Sequence, residues 1–290
     1  SRFGFGGSAL GGATALAGSN ALAGSTALAG STALTGSKSS AGSTTGTAWA
    51  HDDECAALAG AVAALDFERI EGELAAQGWA LTGPLLSATQ CGSLVGAYDE
   101  PALFRSRIVM ARHGFGRGEY QYFTYPLPPL VAALRAAFYP PLAAIANRWA
   151  TMLVEPVRYP KTHARYLAEC RRGGQRSATP LLLRYRVGDY NCLHQDLYGA
   201  LHFPLQIAFL LDRPGVDFTG GEFLLTEQRP RMQSRGEVVP LAQGEGVIFA
   251  VNRRPVMGSR GPYRVVMRHG VSRLRSGHRH TLGIIFHDAR

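Results

Sequence analysis

After Thr179 the chain is written in short strand-like runs broken by turn signals, and this pattern limits the fold more than any other feature. The candidate strands are 181–187, 190–196, 203–211, 221–226, 237–241, 247–251, 264–269 and 279–287. Arg213-Pro-Gly215, Thr219-Gly-Gly221 and Gln243-Gly-Glu-Gly246 punctuate them. Eight short strands in roughly 110 residues predict a sandwich or jelly roll.

Upstream the grammar is mainly helical. Residues 53–65 and 67–77 are rich in Ala, Leu and Glu at helical spacing. Residues 79–86 read as a strand, and Ser87 is a good N-cap for a helix through Tyr98. Residues 105–112 and 119–125 look like strands around the Gly-rich turn His113-Gly-Phe-Gly-Arg-Gly118, and 128–138, 141–154 and 163–171 like helices. The expected class is α+β, with a jelly-roll part at about 179–290 supported by a helical part at about 49–178.

Residues 1–48 are different. They hold Gly, Ala, Ser, Thr and Leu with only two charges, Arg2 and Lys38, and a six-residue unit recurs from Ala15-Leu-Ala-Gly-Ser-Asn20 to Ala33-Leu-Thr-Gly-Ser-Lys38. A few rungs of such small side chains would bury too little apolar area to offset chain entropy. The segment is therefore expected to be a disordered, low-complexity tail. Its Ser- and Ala-rich, acid-free character also leaves organelle targeting open, though Arg is scarce for that.

The rest of the chain suits a globular core, with 46% hydrophobic and 18% charged residues overall. A formal net charge of +9 favours anionic partners. Cys55, Cys91, Cys170 and Cys192 are scattered, without the C-x-x-C spacing of a zinc or redox pair. Reduced thiols in the cytoplasm are expected. No signal peptide is visible, and no apolar run approaches the ~20 residues that span a bilayer, so no membrane partner is expected.

The stretch richest in chemistry is Tyr190-Asn-Cys-Leu-His-Gln-Asp196. Residues i and i+2 of a strand share a face, so the His194 imidazole and the Asp196 carboxylate converge. Two His and one carboxylate on one face of an octahedron form the ligand set of non-haem Fe(II) oxygenases. His269 supplies the second His from a strand expected to return beside the first. Arg279 follows ten residues later, the length of a hairpin, and can form a two-pronged salt bridge to a distal carboxylate. Thr281 faces the same way. His280 should face away, His278 lies in the expected turn, His287 stands at the far end of its strand, and His113, His163 and His202 lack a partner at ligand spacing.

These motifs carry a resemblance. From about Leu65 onward the chain resembles an uncharacterised bacterial family of 2-oxoglutarate/Fe(II) oxygenases, described as acting on damaged nucleic acid in the manner of AlkB-type demethylases. The likeness lies in Phe104–Tyr120, Gly188–Gly199, Thr219–Phe223, Thr226–Ser234, His269–Ser272 and Thr281–Asp288. The chain is also similar to prolyl 4-hydroxylases around Tyr185 and Gly188, although one residue more separates Tyr190 from His194 than in the usual Y-x-x-H-x-D. The resemblance implies a double-stranded β-helix holding Fe(II) through His194, Asp196 and His269. It also implies 2-oxoglutarate anchored by Arg279 and Thr281 with Tyr185 nearby, O2 as oxidant and ascorbate as reductant. Asp196 stands where halogenases have Ala or Gly, so hydroxylation or oxidative demethylation is implied.

Two substrate classes stay open. Net basicity, the Arg-rich stretch 229–235 and the aromatic stretch 113–123 suit an alkylated base in DNA or RNA, provided that Glu222 and Glu227 lie off the phosphate path. The prolyl-hydroxylase-like Tyr185 and Gly188 suit a protein side chain or a small metabolite. A fold that only binds a ligand is the third reading, and the intact metal and cosubstrate residues speak against it.

Overall fold

The computed structural model describes residues 52–290; the expected tail at 1–48 lies outside them. The helices are α1 (Asp52–Ala63), α2 (Phe67–Gln77), α3 (Ala88–Ala97), α4 (Pro129–Met152) and α5 (His163–Arg172). The early strands are β1 (Trp79–Pro84), β2 (Phe104–Val109), β3 (Gly116–Arg117) and β4 (Glu119–Phe123). The later ones are β5 (Leu181–Arg186), β6 (Tyr190–His194), β7 (Leu205–Leu210), β8 (Phe218–Gly220) and β9 (Phe223–Gln228), then β10 (Arg235–Val239), β11 (Glu245–Ala250), β12 (Arg253–Gly258), β13 (Gly261–Val271) and β14 (Leu274–Ile284).

An eight-stranded sheet runs β1-β11-β7-β14-β5-β4-β2, with β8 on β14. A six-stranded sheet runs β10-β9-β13-β6-β3, with β12 on β13. Every named pairing is antiparallel. The chain passes from the second sheet to the first through the short β13–β14 connection, and one cavity is lined by both sheets. This is a double-stranded β-helix. The sheets also take β1 to β4 from the half that reads as helical, and β8 and β12 join them from stretches expected to be turns or loops.

Alternation along the strands divides the larger sheet into two faces. Leu205, Ile207 and Phe209 of β7, Leu282 and Ile284 of β14, and Leu182 of β5 join the helices in the main core. Their neighbours Gln206, Ala208, Thr281, Gly283, Leu181 and Leu183 line the cavity. The helices thus cover one face and leave the other to the site. Ser87 caps α3 as expected, in a capping box with Gln90.

Two helices were expected on either side of Pro140-Pro141, but α4 runs unbroken through both prolines. An interior proline costs roughly 3 kcal/mol. Beyond the prolines, Leu142, Ile145 and Trp149 are all buried, and each large apolar side chain returns about 1.5–3 kcal/mol. Burial therefore outweighs the lost backbone bonds. The same helix corrects the reading of apolar runs: by length and composition alone it could cross a membrane, yet more than half of its most apolar window is buried inside the protein. Arg135, also buried, ties α4 to the C-terminal segment. It donates to the Ile285 and His287 carbonyls, at 2.8 and 3.1 Å, and to Asp288, itself buried, at 2.9 Å.

Candidate metal and cosubstrate site

His194 closes β6 and stands directly opposite His269 of β13 in the ladder. Strand β6 stops there, so Asp196 lies two residues beyond the strand expected to contain it. Its carboxylate still turns to the same side. His194 Nε2 is 3.4 Å from Asp196 Oδ1, and His269 Nε2 is 3.3 Å from Asp196 Oδ2. The three residues can each offer one ligand atom, all within 4.8 Å of one another.

Neighbouring groups set the state of each donor. His194 Nδ1 lies 2.8 Å from the Cys192 carbonyl, so Nδ1 carries the hydrogen and Nε2 keeps its lone pair for a metal. The Tyr198 hydroxyl donates to Asp196 Oδ1 at 2.7 Å. Phe249 and Phe223 pack around the His269 ring, with centroids 4.6 and 6.0 Å away. Burial pulls the His194 pKa down, but the Asp196 carboxylate more than offsets this and raises it. Burial pushes Asp196 up, and the two neighbouring imidazoles override that and hold it well below the usual carboxylate range. Burial and the neighbouring His194 lower His269.

Arg279 lines the same cavity, of about 330 Å³, and is 1% exposed. Its Nη1 donates to Thr281 Oγ1 at 2.6 Å, and Nε has no hydrogen-bond partner. Among the described residues no carboxylate lies within salt-bridge distance of it. Burial lowers its pKa. A buried guanidinium without an anion is costly, and the distal carboxylate of 2-oxoglutarate would satisfy it. Tyr185 and Phe218 place their rings 5.6 and 5.9 Å from the guanidinium carbon, and the buried Tyr185 hydroxyl lacks a partner. A His-Asp-His donor set and an unpaired arginine in one cavity fit Fe(II) and 2-oxoglutarate.

The other histidines are engaged elsewhere or lie apart. His280 binds Asp212 at 3.0 Å, and His163 meets the Phe286 carbonyl at 2.8 Å. His287 accepts from the Phe203 amide, and His202 lines a different cavity. His278 lies within β14 rather than in a turn, because β13 and β14 run longer than expected and only two residues join them. His113 stacks on Phe115, with centroids 5.3 Å apart.

The structure places three further stretches. Residues 229–234 connect β9 to β10 outside the lining of the metal cavity, and Arg229 is paired with Glu227 at 2.6 Å. Glu227 is not a surface residue: it is buried and also bonds Arg254, because a fully buried arginine needs a counter-ion. Of the aromatic stretch, Phe115 and Tyr120 line the cavity, whereas Phe123 belongs to the core.

The sequence reading passed over Tyr198, Asn191 and Gln206. Tyr198 continues the His194, Asp196 step of two. Gln206 is a polar residue in the apolar run Leu-Gln-Ile-Ala-Phe-Leu, and its Oε1 is buried without a partner at the cavity wall. Tyr190 lies outside the cavity lining, which takes Asn191 instead.

Fold and site together define a non-haem-iron, 2-oxoglutarate-dependent oxygenase of the double-stranded β-helix type. Residues 118–289 match the family described as oxygenases catalysing oxidative methylation of damaged DNA, and the chain belongs to that family. Two uncharacterised proteins of Mycobacterium tuberculosis, from strains CDC 1551 / Oshkosh and ATCC 25618 / H37Rv, are each 48% identical over 167 residues, which is 58% of this chain and 72% of theirs. Among solved structures the chain is similar to a Pseudomonas putida prolyl-4-hydroxylase, with 15% identity, a TM-score of 0.47, and 77% of this chain and 99% of that one covered. It is also similar to an oxidoreductase of the 2OG-Fe(II) oxygenase family from Burkholderia pseudomallei, with 13% identity, a TM-score of 0.46, and 77% and 91% covered.

Proposed function

We propose that the chain oxidises an alkylated base in nucleic acid, with His194, Asp196 and His269 as the Fe(II) ligands and Arg279 and Thr281 as the anchor of 2-oxoglutarate. Bound together, iron and 2-oxoglutarate supply O2-dependent oxidation of a C–H bond, with release of succinate and CO2. Oxidation of a methyl carbon attached to nitrogen gives an unstable hydroxymethyl group, so the methyl leaves as formaldehyde.

The observation that carries the cosubstrate role is the buried Arg279 with its unpaired Nε. The chain's own residues do the positioning. Tyr198 and the Cys192 carbonyl orient the ligands. Arg279 and Thr281 would hold one carboxylate of a dicarboxylate in the cavity that the three metal-ligand candidates also line. Phe223, Phe249 and Leu183 keep much of the wall apolar and limit water. Ascorbate is the expected reductant for iron oxidised in unproductive cycles.

The substrate reading is supported by the family's description and by Phe115, a 44% exposed aromatic residue on the cavity lining that could stack on an extruded base. The second reading, hydroxylation of a protein side chain or a metabolite, rests on Tyr185 beside Arg279.

The test is succinate release from 2-oxoglutarate with Fe(II), ascorbate and O2, with and without methylated single-stranded DNA. Stimulated release with stoichiometric formaldehyde is the expected result. Release that the oligonucleotide leaves unchanged would remove the nucleic-acid substrate and leave the oxygenase in place.

A further inference from the structure

Gln206 breaks the pattern of β7. The strand reads Leu-Gln-Ile-Ala-Phe-Leu, and all six residues are buried. The Gln206 side chain lines the metal cavity and is 5% exposed. Among the described residues nothing donates to its Oε1. A buried carboxamide oxygen without a donor costs stability, and a leucine there would continue the apolar strand without that cost. The oxygen is an unfilled acceptor on the wall of the site.

Its place in the sheet rules out the cosubstrate as the missing partner. In the β7–β14 ladder Thr281 stands opposite Leu210, and Gly283 opposite Ala208. By the same register Gln206 is level with the residue after Ile284, six residues and about 20 Å along the strand from Arg279. The five-carbon chain of 2-oxoglutarate, anchored at Arg279, is far shorter than that. Its carboxylates and its oxo group are also acceptors only, so it brings no hydrogen to an oxygen. Tyr185, whose hydroxyl likewise lacks a partner, pairs with Arg279 across β5 and β14 and belongs to the same far end. Gln206 pairs instead with Phe249 across β7 and β11, and the Phe249 ring centroid lies 4.6 Å from that of His269. The acceptor therefore stands at the end of the wall that carries a metal-ligand candidate, where the molecule to be oxidised must come.

The nucleic-acid reading above provides the donor, and the inference rests on it. Adenine and cytosine carry an exocyclic amino group, whereas thymine and uracil present an oxygen in its place. Two oxygens brought together in a dry cavity leave both unpaired. We infer that Gln206 is a specificity-determining residue: its Oε1 accepts a hydrogen bond from the exocyclic amino group of the alkylated base, so the site takes amino-bearing bases and rejects their oxo counterparts.

The test is formaldehyde release by the full-length protein from single-stranded DNA carrying one 3-methylcytosine or one 3-methyluracil. The two bases differ at one ring carbon, where an amino group replaces an oxygen. Wild-type kcat/KM should be higher for 3-methylcytosine by at least about tenfold, since a site built to pair a polar group discriminates strongly against its absence. In Q206L that ratio should collapse, chiefly through loss on 3-methylcytosine. Q206E keeps an acceptor and should keep the preference, which separates a lost hydrogen bond from disturbed packing. The rise in melting temperature on adding 2-oxoglutarate should be alike in all three proteins. Equal kcat/KM on the two oligonucleotides in the wild type, or the same fractional loss on both in Q206L, would overturn the role of Gln206 while the nucleic-acid reading stood. Loss of the 2-oxoglutarate effect in Q206L would also overturn it, by assigning the residue to the cosubstrate. A wild type that releases formaldehyde from neither oligonucleotide would overturn both readings.

Discussion

His194 and His269 face each other across the β6–β13 ladder, with ring centroids 4.2 Å apart. Residues paired across antiparallel strands hold their Cβ atoms about 5 Å apart, so the ladder itself places two imidazoles where one ion can reach both. Asp196, just beyond the strand end, adds the third donor. Asp196→Ala should reduce Fe(II)-dependent succinate release to background with an unchanged circular dichroism spectrum. Tyr198→Phe removes only the hydrogen bond that orients this carboxylate, and Fe(II) affinity should fall about 10–100-fold. Metal titration followed by fluorescence quenching distinguishes the two. Wild-type affinity in Tyr198→Phe would deny Tyr198 an orienting role.

Arg279 is buried as a cation without a carboxylate partner among the described residues, and 2-oxoglutarate is expected to supply one. Addition of 2-oxoglutarate should raise the wild-type melting temperature, since a ligand bound only by the folded state stabilises it. Arg279→Met should lose that rise and weaken 2-oxoglutarate by about 2–5 kcal/mol. Without cosubstrate the same variant should be at least as stable as wild type, because an unpaired buried charge has been replaced by an apolar side chain. Thermal shift with and without 2-oxoglutarate checks all three outcomes.

Asp288 neutralises Arg135 at the junction of α4 and the C-terminal segment, and both are almost fully buried. Asp288→Ala leaves the guanidinium without its anion and should cost about 3–5 kcal/mol. Urea unfolding measures it. A loss below ~1 kcal/mol would mean that the carbonyls and Thr179 around Arg135 suffice alone.

His163 and His287 are buried, and burial lowers each to a pKa of about 3, against an ordinary value near 6.5. Their folded-state values lie below the unfolded ones, so the unfolded chain binds protons first as pH falls. Stability from these groups is full above about pH 6.5, declines as pH drops through the window, and is lost by about pH 3. Urea midpoints at pH 8 and pH 5 should show a clear fall. His163→Gln can still donate to the Phe286 carbonyl and should flatten part of it. An unchanged pH slope in that variant would remove His163 as a contributor.

Much of the site was legible in the sequence because its signals are local or set by strand period. His194 and Asp196 are two apart, the ten-residue step from His269 to Arg279 spans a hairpin, and Thr281 keeps Arg279's face. Tyr198 and Gln206 were legible in principle, the first by continuing the step of two, the second by interrupting an apolar strand. Other features had no local signal. The Pro140-Pro141 pair reads as a helix end, and only the buried residues on its far side show why the helix continues. Glu227 reads as a surface acid, because its partner Arg254 comes from another strand.

By itself the sequence determined the strand grammar after Thr179, the donor types of the candidate metal site and the arginine that accompanies them. All of these follow from side-chain chemistry and from the two-residue period of a strand, which are properties of neighbouring residues. The tertiary structure alone decided which strands pair, how α4 crosses its prolines, and that Arg135 and Arg254 are spent on buried carboxylates while Arg279 lines the cavity without one among the described residues. Those outcomes depend on burial and on contacts between residues far apart in the chain, where the free energy of packing outweighs any local preference.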